Sequence, residues 1–208
     1  MSRARPSIPA PRPLVGVRLP SIRRAGTVRA MDTRHQQGFN LLELMATVAI
    51  LGVLLGLGVP AFNDLIRNNR VVADTNKLVV ALSSARSEAV RRGLPISVCA
   101  TNSAQTACVA TTNWAANGWM VFTDATGTAG TFDGSDEILQ KFARAGSGVG
   151  LNSSNTTAVR FLSTGLPPSG APLNTVFTVQ HSICRDDNRR TVRITRTGRL
   201  NTTKGACS

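Results

Sequence analysis

Glu43 is the side chain in this sequence whose setting most demands a chemical partner. It precedes an apolar run, Leu44 to Val59, in which Thr47 is the only polar member. A carboxylate in hydrocarbon costs roughly 2.5 to 3.5 kcal/mol even on insertion scales, so a cation is needed beside it. Four cysteines, Cys99, Cys108, Cys184 and Cys207, form a second set. They lack a C-x-x-C spacing, and the histidines are only His35 and His181. Disulfides therefore fit better than zinc, and of three possible pairings the short loops Cys99 with Cys108 and Cys184 with Cys207 are favoured. A third set is basic: Arg189, Arg190, Arg193, Arg196, Arg199 and Lys204 crowd the C-terminal end and could meet phosphates. No nucleophile, base and orienter set is recognisable, and no phosphate loop. The expected chemistry is accordingly not that of an enzyme, and it calls for no cofactor and no metal.

The elements that hold these residues follow from patterning. The chain has 208 residues, with 24 Lys and Arg against 11 Asp and Glu. That length suits one domain with a real core, and a 42% hydrophobic composition excludes global disorder. Residues 1–30 hold seven arginines, several prolines and no acid, and show neither helical nor strand period. They read as disordered or untranslated, with translation expected to start at Met31. Leu44 to Val59, extended by Phe39 to Leu42, is about long enough to span a bilayer. Gly52 and Gly56 make a small-xxx-small pair that allows close helix approach, while Pro60 could break the helix there.

Beyond Pro60, apolar residues from Phe62 through Leu65, Val71, Leu78, Leu82, Ala85 and Ala89 to Val90 recur at three- and four-residue spacing. This is an amphipathic helix, expected to stop at Arg92 before Gly93. Strands are expected at Ile96 to Ala100, Trp119 to Thr123, Glu137 to Ala143, Ala158 to Leu162, Thr175 to His181 and Thr191 to Thr197. Trp114 and Trp119 read as core. Asp124, Asp133, Asp136 and Glu137 read as solvated turn residues, because they lack the ligand spacing of a calcium loop.

Gly38-Phe39-Asn40-Leu41-Leu42-Glu43-Leu44 resembles the signal of type IV prepilins and type II secretion pseudopilins. The resemblance implies that a prepilin peptidase and methyltransferase cuts after Gly38 and methylates Phe39. It also implies that Glu43 neutralises the N-terminal amine of a neighbouring subunit, with Gly52, Gly56 and Pro60 shaping the assembly helix. Trp114 to Asp124, Phe161-Leu-Ser-Thr-Gly165-Leu-Pro and Val192 to Arg199 resemble the GspH/FimT family of minor pilins and pseudopilins.

The implied fold is α+β and type IV pilin-like. A long N-terminal helix, its first half membrane-spanning, would pack on an antiparallel β-sheet head. The expected layout is an extension over 1–30, a leader over 31–38, an assembly helix over 39–60, an amphipathic helix over 61–93 and a β-rich head over 94–208. Implied partners are the peptidase, other major and minor pilins or pseudopilins, and the bacterial inner membrane, with the head in the periplasm before joining a pilus or pseudopilus.

FimT-like members imply double-stranded DNA binding for natural transformation through a C-terminal Gly-Arg-x-Arg element. Here Gly198 and Arg199 match, and Asn201 stands where the second arginine would be. With Val192 and Ile194 inward, Arg193, Thr195, Thr197 and Arg199 are expected on one outer face. The alternatives are a solvated basic edge strand that resists aggregation, and a pseudopilin of type II secretion that binds no DNA.

Overall fold

The computed structural model describes residues 40–155, 158–170 and 175–207. The expected extension over 1–30 and the processing residues Gly38 and Phe39 lie outside them. Two units are distinguished, Met1–Met45 and Ala46–Ser208. The first contributes only residues 40–45 to the described part. There Asn40 opens the helix: its side-chain oxygen accepts from the Leu42 N–H at 3.4 Å and its carbonyl accepts from the Leu44 N–H at 3.1 Å.

The helix α1, Leu41–Arg92, runs unbroken through Gly52, Gly56 and Pro60. Arg91 and Arg92 occupy its last turn, where they complement the helix dipole, and Gly93 follows with a φ of +68°. Its buried stripe is Val71, Asp74, Thr75, Leu78, Ala81, Leu82, Ala85 and Ala89. Each fully buried leucine on that stripe contributes roughly 1.5 to 3 kcal/mol. Phe62, Leu65 and Val90, expected on the inward face, are instead 53 to 62% exposed. The periodicity is genuine, but the sheets cover only the middle turns.

Among the described residues, eight strands form two four-stranded antiparallel sheets where a single sheet was expected. The first has the order β3-β2-β1-β5, from Ile96–Ala100 (β1), Trp119–Thr123 (β2), Ile138–Phe142 (β3) and Val159–Phe161 (β5). The second has the order β4-β6-β7-β8, from Val149–Ser153 (β4), Val176–His181 (β6), Arg189–Ile194 (β7) and Leu200–Gly205 (β8). β1 and β2 are buried on both faces. Ile96, Val98, Trp119 and Val121 join the helix stripe and Phe161, Phe177 and Val192 in the main core. Cys99, Met120 and Phe122 form a second cluster beneath Phe132 and Ile138. Trp114 packs edge-on to Phe177 and Trp119 stacks on Phe142, so both tryptophans are core residues.

Two buried carboxylates fasten the layers. Asp74, on α1, accepts from the Gly146 N–H at 2.7 Å and pairs with Lys77 at 2.8 Å. Asp124 is fully buried rather than solvated, which corrects the expectation from its turn-like sequence. It accepts from Ser97 Oγ at 2.5 Å and the Gly130 N–H at 2.9 Å, and pairs with Arg160 at 3.0 Å. The loop after β2 folds back over β1, and this network is what holds it there. Disulfides join Cys99 to Cys108 and Cys184 to Cys207, the short-loop pairing favoured above. The second closes a 23-residue separation and ties down the end of β8.

His181, 9% exposed at the end of β6, accepts from the Ile183 N–H at 3.0 Å through Nδ1. Burial, with Arg67 and Arg70 nearby, holds its pKa below 6.5, against a weaker opposing hydrogen bond to the Ser147 backbone. The unfolded chain therefore binds a proton at higher pH than the folded one. Stability should be level above about pH 6.5 and fall as the pH drops below it. Thermal melts at pH 7.5 and 5.0 should show a lower Tm at 5.0. In His181→Asn, which keeps an acceptor for Ile183, that difference should shrink.

Candidate functional site

Two surfaces carry the residues singled out from the sequence. The first is the N-terminal part of α1. Every residue from Leu41 to Asn63 is exposed, including Leu42, Leu51, Leu54 and Leu57. This is one helix long and apolar enough to cross a membrane. Glu43 lies in its first turn, where the helix dipole favours an anion. Among the described residues, nothing lies within 4 Å of where a Cβ would stand on Gly52, Gly56 or Gly58, so none of them requires glycine at these places.

The second surface is the C-terminal hairpin, whose register divides the basic residues. Val192 and Ile194 are buried, and Arg193 is exposed on the opposite face of β7, together with Arg189 and Thr191. Arg193 pairs with Asn201 and Arg190 with Lys204 across β7 and β8. Arg190 and Lys204 thus share the face opposite to Arg193. β7 also stops at Ile194, short of the expected Thr197. The Thr195 N–H donates to the Arg199 carbonyl at 3.0 Å and the Gly198 N–H to the Thr195 carbonyl at 2.9 Å, which closes a tight turn. Thr195, Thr197 and Arg199 accordingly do not continue the outer face of Arg193. Arg196 and Arg199 instead lie exposed on the turn itself.

That turn is fixed to the helix by Arg86, which the sequence reading missed. Arg86 Nε donates to the Gly165 carbonyl at 3.0 Å and a terminal nitrogen donates to the Thr197 carbonyl at 3.1 Å. Its signal was its position one residue after the buried Ala85, at the margin of the helix stripe. Arg86, Arg91 and Arg199 border an open groove of about 720 Å³ whose apolar lining includes Val79, Val90 and Leu200. Arg91 and Arg92 both bind Glu88, and their hydrogen bonds hold its carboxyl down to about 2. No cluster of His, Cys, Asp and Glu able to hold a metal exists among the described residues.

The sequence model of the family described as type II transport protein GspH matches residues 74–198, from the buried Asp74 to the hairpin Gly198. The chain belongs to the GspH family. The prokaryotic N-terminal methylation motif matches residues 33–59, which takes in Glu43 and the apolar helical run. This GspH-family chain is thus a minor pilin or pseudopilin of a type IV pilus or type II secretion system, a member of a structural family, and its N-terminal helix is long and apolar enough to cross a membrane. Its fold is similar to that of the type IV minor pilin FimU of Pseudomonas aeruginosa, with a TM-score of 0.50 and 19% identity. That match covers 65% of this chain and 89% of FimU. It is also 43% identical over 51 residues to the type IV major fimbrial protein FimA of Dichelobacter nodosus, across 22% of this chain. The chain spans about a third of the length of that relative.

Proposed function

We propose that the chain is made as a precursor in the bacterial inner membrane, cleaved between Gly38 and Phe39, methylated on Phe39 and drawn into a filament. Residues 1–30 precede the functional leader 31–38. Residues 39–60 anchor and assemble the subunit, 61–93 connect the anchor to the core, and 94–208 form the periplasmic head. The observation that carries this reading is Glu43 at the start of an apolar helical stretch that is exposed throughout and that the described residues leave uncovered. Cleavage would free the Phe39 amine, a cation that can meet the Glu43 of a neighbour in an apolar surrounding. Gly52 and Gly56 would let neighbouring helices approach closely, and Pro60 would mark the exit from that packing. The test is fractionation of cells with and without the prepilin peptidase. The chain should reach the sheared filament fraction only when the peptidase is present, and its appearance there without the peptidase would overturn the reading.

The head's proposed task is to capture duplex DNA for natural transformation. No Asp or Glu occurs from Asn188 to Ser208, so Arg193 and the turn residues Arg196 and Arg199 act on phosphates unopposed by a neighbouring acid in sequence. Three phosphate contacts predict that log affinity falls with log salt with a slope of about −3. Anisotropy of labelled duplex DNA with the processed chain in detergent should show this slope. The Arg193/Arg196/Arg199→Gln variant should lose roughly tenfold or more in affinity. Salt-independent binding, or equal binding by the variant, would contradict it. The second reading is a type II secretion pseudopilin without DNA binding. It is favoured by Asn201 at the place of the second arginine and by the division of the bases between two faces of the hairpin.

A further inference from the structure

Each disulfide closes the open end of a local turn or hairpin. Cys99 and Cys108 lie at the base of a turn in which Thr101 pairs with Cys108. There the Val109 N–H donates to the Ala100 carbonyl at 2.9 Å and the Asn102 N–H to the Ala107 carbonyl at 3.1 Å. The Asn102 side chain binds Thr106 through both its oxygen and its nitrogen, which stiffens the turn. Cys184 and Cys207 flank the β7–β8 hairpin, whose ladder runs from Ile194 with Leu200 out to Arg189 with Gly205. Beyond that ladder the Cys207 N–H donates to the Asp186 carbonyl at 3.1 Å. Cα separations of 5.6 and 5.8 Å suit both bridges without any displacement of the backbone.

The two pairs are also consecutive along the chain. Cys108 follows Cys99 by 9 residues and Cys207 follows Cys184 by 23. A crossed bond from either early cysteine to Cys184 would instead close roughly 80 residues. Closure falls as about the −3/2 power of loop length, which disfavours the crossed bond roughly 25-fold for Cys99 and roughly sixfold for Cys184. Order of emergence acts in the same direction, because a head translocated behind its helix exposes Cys99 and Cys108 before Cys184. Once the head folds, Cys99 is 3% exposed and packed with Met120 and Phe122, out of reach of a free thiolate. One closed pair then leaves the other two cysteines only each other.

We propose that this chain is a substrate of thiol oxidation with no isomerisation step: an oxidised dithiol oxidoreductase supplies both disulfides in chain order, Cys99 to Cys108 and then Cys184 to Cys207. The proposal rests on the reading of an exported head given above. For each bond, one cysteine thiolate attacks the enzyme's disulfide and expels an enzyme thiolate. The second cysteine then attacks the mixed disulfide at the chain's own sulfur and expels the other enzyme thiolate. The chain gives up two electrons and two protons per bond, and the enzyme's disulfide takes them up to become a dithiol.

The test is pulse-labelling of the full chain in cells, followed by acid quenching, alkylation that adds mass to each free thiol, and peptide mapping of the bonds. It compares unaltered cells with cells that lack the periplasmic thiol oxidase and cells that lack the disulfide isomerase. In unaltered cells, a species with Cys99 joined to Cys108 and with Cys184 and Cys207 free should come first. Loss of the oxidase should slow both bonds roughly tenfold or more, and loss of the isomerase should change neither rate by as much as about twofold. A crossed bond in unaltered cells, closure of Cys184 with Cys207 first, rates unchanged without the oxidase, or a native yield that falls severalfold without the isomerase would overturn the proposal while leaving the exported head. Four thiols that stay reduced in unaltered cells would remove the exported head and the proposal together.

Discussion

Glu43→Ala should be cleaved after Gly38 like the unaltered chain and should nearly vanish from the assembled filament. The carboxylate lies in the first turn of α1 and the residues that follow it are apolar and exposed through Val59. In the proposed array of such helices, the ammonium of Phe39 from one subunit and the carboxylate of Glu43 from another would neutralise each other. Truncation to alanine leaves the ammonium unpaired in hydrocarbon, at a cost of roughly 2.5 to 3.5 kcal/mol for each subunit added. That corresponds to a loss of incorporation of roughly 100-fold, since about 1.4 kcal/mol is tenfold. Glu43→Asp, which keeps the charge on a shorter arm, should recover part of it. Quantitative blotting of membrane and sheared fractions reads both quantities. Normal incorporation of the alanine variant would mean that the charge has another purpose.

Gly198→Ala should be the most damaging small change in the basic hairpin, and damaging for a reason unrelated to charge. Gly198 has a φ of +70°, and a Cβ there would lie 2.4 Å from the Gly165 carbonyl oxygen and 3.2 Å from Arg86 Nε. The backbone conformation alone costs roughly 1 kcal/mol for an L side chain, and overpacking adds about 1 to 3 kcal/mol. The turn cannot simply retreat, because Arg86 holds both Gly165 and Thr197 by their carbonyls. Urea unfolding should therefore show a loss of about 2 to 4 kcal/mol for Gly198→Ala. Arg199→Gln, on an exposed neighbour, should change stability by less than about 0.5 kcal/mol. A stable Gly198→Ala would show that the turn is not clamped as described. Together the two variants separate what the Gly-Arg pair does for the fold from what it does for a ligand.

Much of this was legible in the sequence because the signals were local. β1 and β2 begin and end where their apolar runs do, at Ile96 to Ala100 and Trp119 to Thr123. The helix stop at Arg92 followed from Gly93, which does adopt a left-handed φ. β4 and β8 were missed for a physical reason. Val-Gly-Leu-Asn-Ser and Leu-Asn-Thr-Thr-Lys-Gly have little strand character alone, and they are strands because β6 and β7 pair with them. β7 was read too far because Thr195 and Thr197 continue the alternation in which the chain is already turning. Asp124 followed the turn-like composition of 124–136, and only the fold brings Ser97 and Arg160 to it. The basic cluster was visible as composition, but its division between the two faces of β7 and β8 depends on register.

The central claim, that this chain is a processed and assembling pilin-like subunit, rests on what happens between Gly38 and Phe39. The most direct measurement is the intact mass, with N-terminal sequencing by fragmentation, of the protein isolated from membranes that contain the prepilin peptidase. The account predicts a chain from Phe39 to Ser208 that carries one N-methyl group and both disulfides. A chain that begins at Phe62, as after ordinary signal-peptide cleavage behind Val59-Pro60-Ala61, or one that retains Met31 to Gly38 when the peptidase is active, would contradict it.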